Sequence, residues 1–333
     1  MTNKKMKIVV TGGSGFIGSH LTELLLSMNY EVTVIDSLIT GRKDNLSSVL
    51  DEINFIEADL VGIPSQTLCE IFDGVDVVIH LAAIADIVPS VENPVKYFDN
   101  NVRSTIAVVE AARIMGVKRI VYAASSSCYG DLPSVPTSVD HPISCRYPYA
   151  LSKKMGEDVV SHWATLYGLE FISLRLFNIY GPRARTSGTY GAVLGVFLAQ
   201  HLNGRALTIV GDGSQKRDFT YVTDVAKAFA LASELGKPTG VFNISLGDPK
   251  SILELADLIS QQRIFIPYRP GEPDITWGDS LPFRESFNWK PSINLEDGVS
   301  KCLDNISWLN EAPVWTPESI HDATTSWFKY LQK

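Results

Sequence analysis

Tyr149 and Lys153 stand four residues apart in the run Tyr149-Ala150-Leu151-Ser152-Lys153, directly after Pro148. Proline suits the first turn of a helix, and an i, i+4 spacing puts both side chains on one helical face. An ammonium beside a phenol favours the phenolate, lowering a tyrosine pKa from about 10 toward the working range. Such a tyrosine can take the proton from a substrate hydroxyl while a hydride leaves the same carbon. Ser125, in Ala124-Ser125-Ser126-Ser127-Cys128-Tyr129-Gly130, closes a β-rich run and can hydrogen-bond that same hydroxyl. Alone, the Tyr-x-x-x-Lys spacing is common on ordinary amphipathic helices. It becomes informative when something nearby can accept the hydride.

A dinucleotide turn supplies that acceptor. Near the N-terminus, Lys7–Thr11 runs into Gly12-Gly13-Ser14-Gly15-Phe16-Ile17-Gly18 and then into helix-like Ser19–Met28. Gly12, Gly15 and Gly18 allow a tight turn, close backbone approach to a pyrophosphate, and close helix–strand packing. The free N–H groups of the following helix favour the phosphates. A glycine triplet alone is weak evidence, but the second strand-like run ends in Asp36, 18 residues beyond Gly18. That is near the spacing of a carboxylate that holds the adenosine ribose hydroxyls. A carboxylate there repels a 2′-phosphate, so the expected cofactor is NAD and not NADP.

These groups need a scaffold that brings strand ends and helix starts together. Apolar runs recur at Lys7–Thr11, Glu31–Asp36, Asn54–Glu57, Val75–His80, Arg119–Ala124 and Phe171–Arg175, with helix-spaced stretches between most of them. The alternation predicts an α/β fold, a Rossmann-type doubly wound parallel sheet with helices on both faces. After Gly181-Pro182 short turns multiply, and pieces such as Ala206–Val210 and Arg263–Pro267 stand isolated. The expectation is an NAD-binding domain over residues 1–180, with a returning segment near 217–245. A smaller C-terminal α/β substrate lobe would occupy mainly residues 181–333.

Composition narrows the classes further. The 333 residues carry 29 Lys+Arg against 37 Asp+Glu, a net charge of −8. Without a basic cluster, nucleic acid is not an expected partner. The apolar run at residues 7–11 is too short for a signal or membrane segment. Cys69, Cys128, Cys145 and Cys302 are too scattered for a metal motif and too few for a disulfide framework. No metal is expected, and the chain reads as cytoplasmic.

Taken together, these motifs resemble the extended short-chain dehydrogenase/reductase family, in its NAD-dependent nucleotide-sugar epimerase/dehydratase branch. The resemblance covers nearly the whole chain. It includes Gly12–Gly18, Asp59-Leu60, His80-Leu81-Ala82-Ala83, Asn100-Asn101-Val102, Ser125 with Tyr129-Gly130, Tyr149 with Lys153, and Leu174–Asn178. It continues through Gly181-Pro182-Arg183, Gly211–Gly213, Arg217–Phe219, Val222–Asp224, Arg269–Gly271 and Trp289–Pro291. It implies that Phe16 and Ile17 belong to the phosphate turn, that Asp59 and Leu60 flank the adenine, and that Leu81, Ala82 and Ala83 run along the cofactor. It places Asn100 near the catalytic group, Lys153 also on the nicotinamide ribose, and Phe177 near the nicotinamide. Asn178, Arg217 and Arg269 would hold the substrate, with the arginines on its diphosphate, and Glu272 would bond the nucleotide ribose. His80 reads as a buried, hydrogen-bonded strand-end histidine.

Dehydratases of this branch follow the strand-end Ser/Thr with Asp-Glu, and decarboxylases carry a Glu nearby. Ser126 and Ser127 cannot do that acid–base work, so the resemblance points to a UDP-sugar 4-epimerase, with both residues facing substrate. The sugar would be oxidised at C4 to a 4-keto sugar, turned, and reduced on its other face. A dehydratase or decarboxylase, and a non-catalytic NAD-sensing protein, remain the alternatives. Epimerase-reductases place a cysteine two residues before the tyrosine of this motif, whereas Cys128 lies one before Tyr129 and in a strand would face away. Thr276 suggests room at the sugar C2, and Arg185 resembles an arginine that meets a uronate carboxylate. The candidates are therefore UDP-GlcNAc/GalNAc, UDP-Glc/Gal and UDP-uronates. The family also implies a homodimer through Asn101–Met115 and Ala150–His162. Tyr149→Phe should keep bound NAD and lose most turnover, checked by NAD content and epimerisation rate; near-normal activity would exclude the assigned role.

Overall fold

The β-branched runs of the first half become parallel strands in a computed structural model that describes residues 5–130, 134–185 and 192–331. They are β1 (Lys7–Thr11), β2 (Glu31–Asp36), β3 (Asn54–Glu57), β4 (Val77–His80), β5 (Arg119–Ser125) and β6 (Glu170–Leu176). A seventh strand, β7 (Gly240–Ile244), pairs in parallel with β6. The sheet order is β3-β2-β1-β4-β5-β6-β7. The winding reverses between β1 and β4, which opens a crevice at the strands' carboxyl ends. Val75, expected at the start of β4, instead closes the preceding turn by donating its N–H to the Phe72 carbonyl.

Both faces of the sheet are covered, so successive residues of one strand enter different cores. Ile8, Val10, Val77 and Ile79 pack with α1 (Phe16–Ser27) and with Val222–Ala232. Val9, Val78, Ile120 and Tyr122 pack with α2 (Ser65–Phe72), α3 (Ser104–Ile114) and α4 (Pro148–Tyr167). Each fully buried aliphatic side chain contributes about 1.5–3 kcal/mol. A further cluster gathers Phe197, Leu207, Ile209, Leu255, Leu295 and Val299. There the pieces Leu207–Val210 and Arg263–Ile266 pair with each other in parallel. Among the described residues no helix is long and apolar enough to cross a membrane.

A buried ionic network fixes α4 on the sheet. Arg175 of β6 donates to both oxygens of Glu157 on α4, at 3.0 and 2.7 Å. It also donates to the Tyr129 hydroxyl at 2.9 Å and the Val139 carbonyl at 3.1 Å. Ser173 donates to Glu157 at 2.8 Å, and the Tyr129 hydroxyl donates to Asn243 Oδ1 of β7 at 2.7 Å. Immediately before Glu157, Gly156 lets the helix lie close to the sheet, since a Cβ there would meet the Tyr122 hydroxyl at 2.2 Å. Removing one member of a buried pair leaves the other charge uncompensated. Glu157→Gln should therefore cost about 3–5 kcal/mol of stability in denaturant unfolding. A loss below about 1 kcal/mol, the range of an exposed pair, would show that the network does not hold α4.

Candidate active site

The turn after β1 is shaped by what it must avoid. Gly12 has φ +72°, and a Cβ there would meet the Ala82 amide at 2.7 Å; one on Gly18 would meet the Gly12 carbonyl at 2.2 Å. α1 begins at Gly15 with no side-chain cap and no acid in its first turn. Its first intrahelical bond is Ser19 N–H to the Gly15 carbonyl, 3.0 Å. The amides of Phe16, Ile17 and Gly18 thus stand ready for an anion. Asp36, buried at the end of β2, accepts from the Ser14 amide and the Leu38 amide, both at 2.9 Å.

Gly12, Gly15, Phe16, Ile17, Gly18 and Asp36 line a cavity of about 520 Å³, joined there by Asp59, Leu60, Leu81, Ala82, Ala83, Asn100, Tyr149 and Lys153. The volume lies in the range of small-ligand and cofactor pockets. The buried Ser14 hydroxyl has no protein partner. A glycine cradle, an uncapped helix start and an unpaired hydroxyl together fit a dinucleotide.

Tyr149 and Lys153 occupy the first turns of α4, as their spacing predicts, and both line this cavity. The Tyr149 hydroxyl is hydrogen-bonded to Ser125 at the end of β5. Ser125 Oγ lies 2.8 Å from Ser127 Oγ and accepts from the Ser127 amide at 3.2 Å. The Lys153 ammonium sits over the Tyr122 ring, 4.3 Å from its centroid, while the Tyr122 hydroxyl donates to the Lys153 carbonyl. Behind it, the Thr105 hydroxyl donates to the Asn101 carbonyl and so accepts from His80 Nε2, 3.0 Å away. Nδ1 of His80 then accepts from Thr11 at 2.7 Å. Burial, then repulsion from Lys153, lowers the His80 pKa to about 3 and keeps it neutral. His80 is the buried structural histidine that its position suggests.

The electrostatics depart from expectation at one point. Burial raises the Tyr149 pKa, against the Ser125 hydrogen bond and with a further push from Asp86. Burial also lowers the Lys153 pKa to about 7, opposed by Glu157. The phenol is therefore not pre-ionised by its lysine. Desolvation is the leading cause of both shifts, and the lysine charge rests on an aromatic face.

The expected substrate residues gather at a second cavity of about 330 Å³, lined by Asn178, Arg217, Arg269 and Glu272. Glu272 pairs with Arg269 at 3.0 Å and with Arg217 at 3.7 Å. Thr276 lies one layer back, accepting from Asn178 at 2.7 Å and pairing with Arg217 in a short sheet. Arg185 lines the first cavity and meets Asp86 at 2.7 Å. Ser126 and Ser127 are half-buried in the turn Ser126–Tyr129 and line neither cavity. Phe177 is turned away: it is buried with Tyr129 and Cys128, and Leu176 takes the cavity wall. Cys128 is buried as expected, but in a 3₁₀ turn and not in a strand, and burial pushes its thiol to about 12.

With that geometry, residues 8–245 match the NAD dependent epimerase/dehydratase family. The chain belongs to this family. Over 311 residues it is 36% identical to the UDP-glucose 4-epimerase of Mycolicibacterium smegmatis, covering 90% of this chain and 98% of that protein. Its fold is similar to that of the UDP-N-acetylglucosamine 4-epimerase from Methanobrevibacter ruminantium M1, solved with UDP-N-acetylmuramic acid. That match has a TM-score of 0.84 at 32% identity, over 91% of this chain and 99% of that one. The UDP-glucuronic acid 4-epimerase of Bacillus cereus, solved with UDP-glucuronic acid and NAD, also gives 0.84 at 32% identity, covering 91% and 100%.

Three positioning residues were not singled out from the sequence. Asn101, not its neighbour Asn100, is the buried one: it grips both backbone groups of Ile84 and donates to Ser152 at 2.9 Å. The tandem Asn100-Asn101 was the available signal, and a π-helical turn over Asp99–Arg103 decides which of the two points inward. Asp86, with φ +148°, lines both cavities. Trp327 walls the second cavity and donates to the Pro270 carbonyl at 2.8 Å. The last two carry no local sequence signal.

A lysine whose pKa falls on folding weakens the fold wherever the unfolded chain would be protonated. The sign follows from linkage: the penalty is complete below about pH 7, shrinks as pH rises, and vanishes near the unfolded lysine pKa. Lys153→Met should therefore raise Tm most at neutral and acidic pH, with the gain over the native chain shrinking toward pH ~10. A gain that grows with pH would contradict the burial of this charge.

Proposed function

We propose that the chain is an NAD-dependent 4-epimerase of UDP-sugars. The observation that carries this reading is the hydrogen bond from Ser125, behind the cavity wall, to Tyr149, which lines the glycine-turn cavity. Two further hydroxyls, Ser126 and Ser127, follow where a dehydratase would need carboxylates. Decarboxylases and dehydratases do occur among relatives, including the UDP-N-acetyl-alpha-D-glucosaminuronate decarboxylase of Bacillus cytotoxicus.

The amides of Phe16, Ile17 and Gly18 would hold the cofactor diphosphate, Asp36 the adenosine ribose, and Asp59 and Leu60 the adenine edge. Leu81, Ala82 and Ala83 would form the wall beside it, with Asn100 near the catalytic end. Lys153 would hold the nicotinamide ribose. Bound NAD would supply a reversible hydride acceptor for C4 of the sugar, with no net redox change over the cycle. Tyr149 would take the C4 hydroxyl proton and later give it back, braced by its hydrogen bond to Ser125. Arg217 and Arg269 face the substrate diphosphate, held apart and in place by Glu272; their planar forks suit phosphate oxygens.

Arg185 bears on the sugar. Its guanidinium already has a carboxylate partner in Asp86, so a uronate would have to displace that pair. This favours UDP-Glc/Gal or UDP-GlcNAc/GalNAc over the uronate pair. Cys69, Cys128 and Cys302 are buried free thiols, which suits a reducing cytoplasm. Ile106 and Ile114 of α3, with Leu151, Met155 and Leu166 of α4, are exposed apolar residues on the two helices expected to form a dimer; light scattering should give twice the chain mass.

The deciding experiment incubates the protein with a panel of UDP- and GDP-sugars without reductant, followed by NMR and mass spectrometry. Interconversion of a C4 pair at unchanged mass is expected. Loss of water or carbon dioxide, or no conversion of any pair, would overturn the reading.

A further inference from the structure

Tyr147 is joined to the catalytic tyrosine through a chain of hydroxyls. Its hydroxyl is hydrogen-bonded to Ser127; Ser127 Oγ lies 2.8 Å from Ser125 Oγ; and Ser125 is hydrogen-bonded to Tyr149. The backbone explains how one helix start supplies both ends. Pro148 excludes the helical region for the residue before it, and Tyr147 is extended at φ −149° and ψ 162°. Tyr147 and Tyr149 then project side by side, their rings parallel within 8° and 6.5 Å apart. At the other side, the turn Ser126–Tyr129 folds Ser127 back so that its amide and hydroxyl both meet Ser125.

The chain has a direction only when Tyr149 has lost its proton. A phenolate is an acceptor alone, so Ser125 must donate to it. Ser125 already accepts from the Ser127 amide, and with its own proton committed it accepts from the Ser127 hydroxyl too. Ser127 must then accept from a further donor. Tyr147 is that donor, and it keeps its proton because burial pushes its phenol well above the usual range. Aligned hydroxyl chains strengthen one another in a low-dielectric site.

Resting on the proposed epimerase reading, we infer that Tyr147 is a positioning residue that terminates a Tyr147–Ser127–Ser125–Tyr149 hydroxyl chain and stabilises the Tyr149 phenolate during proton abstraction. No proton needs to travel the chain. The one Tyr149 gains stays on Tyr149 until it is returned to the sugar, while the other three hydroxyls only reorient. Other groups face this pair: Asp86 and Cys128 near Tyr149, the Tyr97 ring edge-on at 6.4 Å, Lys153 on the same helix, and Cys145 and Glu272 near Tyr147. Tyr147→Phe alters none of them and keeps the parallel ring.

The test is the pH dependence of kcat. Tyr147→Phe should move the acidic limb to higher pH by about half a unit, the scale of losing a cooperative donor two bonds away. Ser127→Ala should give a similar shift, the double variant no more than either alone, and Ser127→Thr, which keeps the hydroxyl, none. An unmoved limb, a kcat lowered at every pH without a shift, or additive shifts in the double variant would overturn the inference. If the native protein converts no sugar, the epimerase reading fails instead. The ultraviolet tyrosinate titration lost in Tyr149→Phe then carries the same test, with the same upward shift expected in Tyr147→Phe and none overturning it.

Discussion

The site depends on a single attachment, the buried pairing of Glu157 with Arg175. It clamps α4 to β6, and every candidate catalytic group on that helix inherits its position. A buried ion pair is a weak source of net stability, since desolving both charges cancels most of their attraction. Its contribution here is registration. Tyr129 and Asn243 extend the pair to the strand-end turn and to β7, so the Ser125 turn, α4 and the sheet edge are referred to one set of directional bonds. Apolar packing alone would tolerate a small slide of the helix, and these bonds do not.

The same economy governs charge at the ligand cavities. The net charge of −8 opposes an anionic substrate at long range, yet the residues that would meet phosphates are local and cationic. Glu272 holds Arg217 and Arg269 within a small volume. Without it, two guanidinium groups facing one cavity would repel each other. At the glycine turn the first cavity offers the amides of an uncapped helix. On the proposed reading the two halves of the site would meet diphosphates differently, with oriented backbone dipoles at the glycine turn and a carboxylate-held pair of guanidinium groups in the second cavity.

Much of this was legible in the sequence because it depends on local rules. The glycine turn, the strand carrying Asp36 and the Tyr149/Lys153 helix are set by spacing and backbone conformation, and the structure has them where the pattern puts them. What was not legible depends on which side of an element faces inward. Asn100 and Asn101 are indistinguishable until a π-helical turn rotates the second one into the core. Phe177 and Leu176 exchange roles because β6 ends at Leu176, and the Phe177 ring beyond it packs against Gly278 and Tyr129. The Tyr149 pKa could not be read from its lysine neighbour, because desolvation is a property of everything packed around the pair and not of their separation.

The seventh strand has a consequence for how the molecule is made. β7 pairs with β6 in full register, Gly240 to Ile172 through Ile244 to Leu176, across more than 60 residues of intervening chain. During synthesis, all six earlier strands emerge before the one that covers β6. Until then β6 presents an open row of backbone donors and acceptors, the kind of edge that recruits other chains. Loop-closure entropy delays such distant pairing in any case. The nascent chain thus has a window in which six strands of the sheet have been made and the β6 edge is still unpaired. A chaperone acting on this protein would find its natural substrate in that interval.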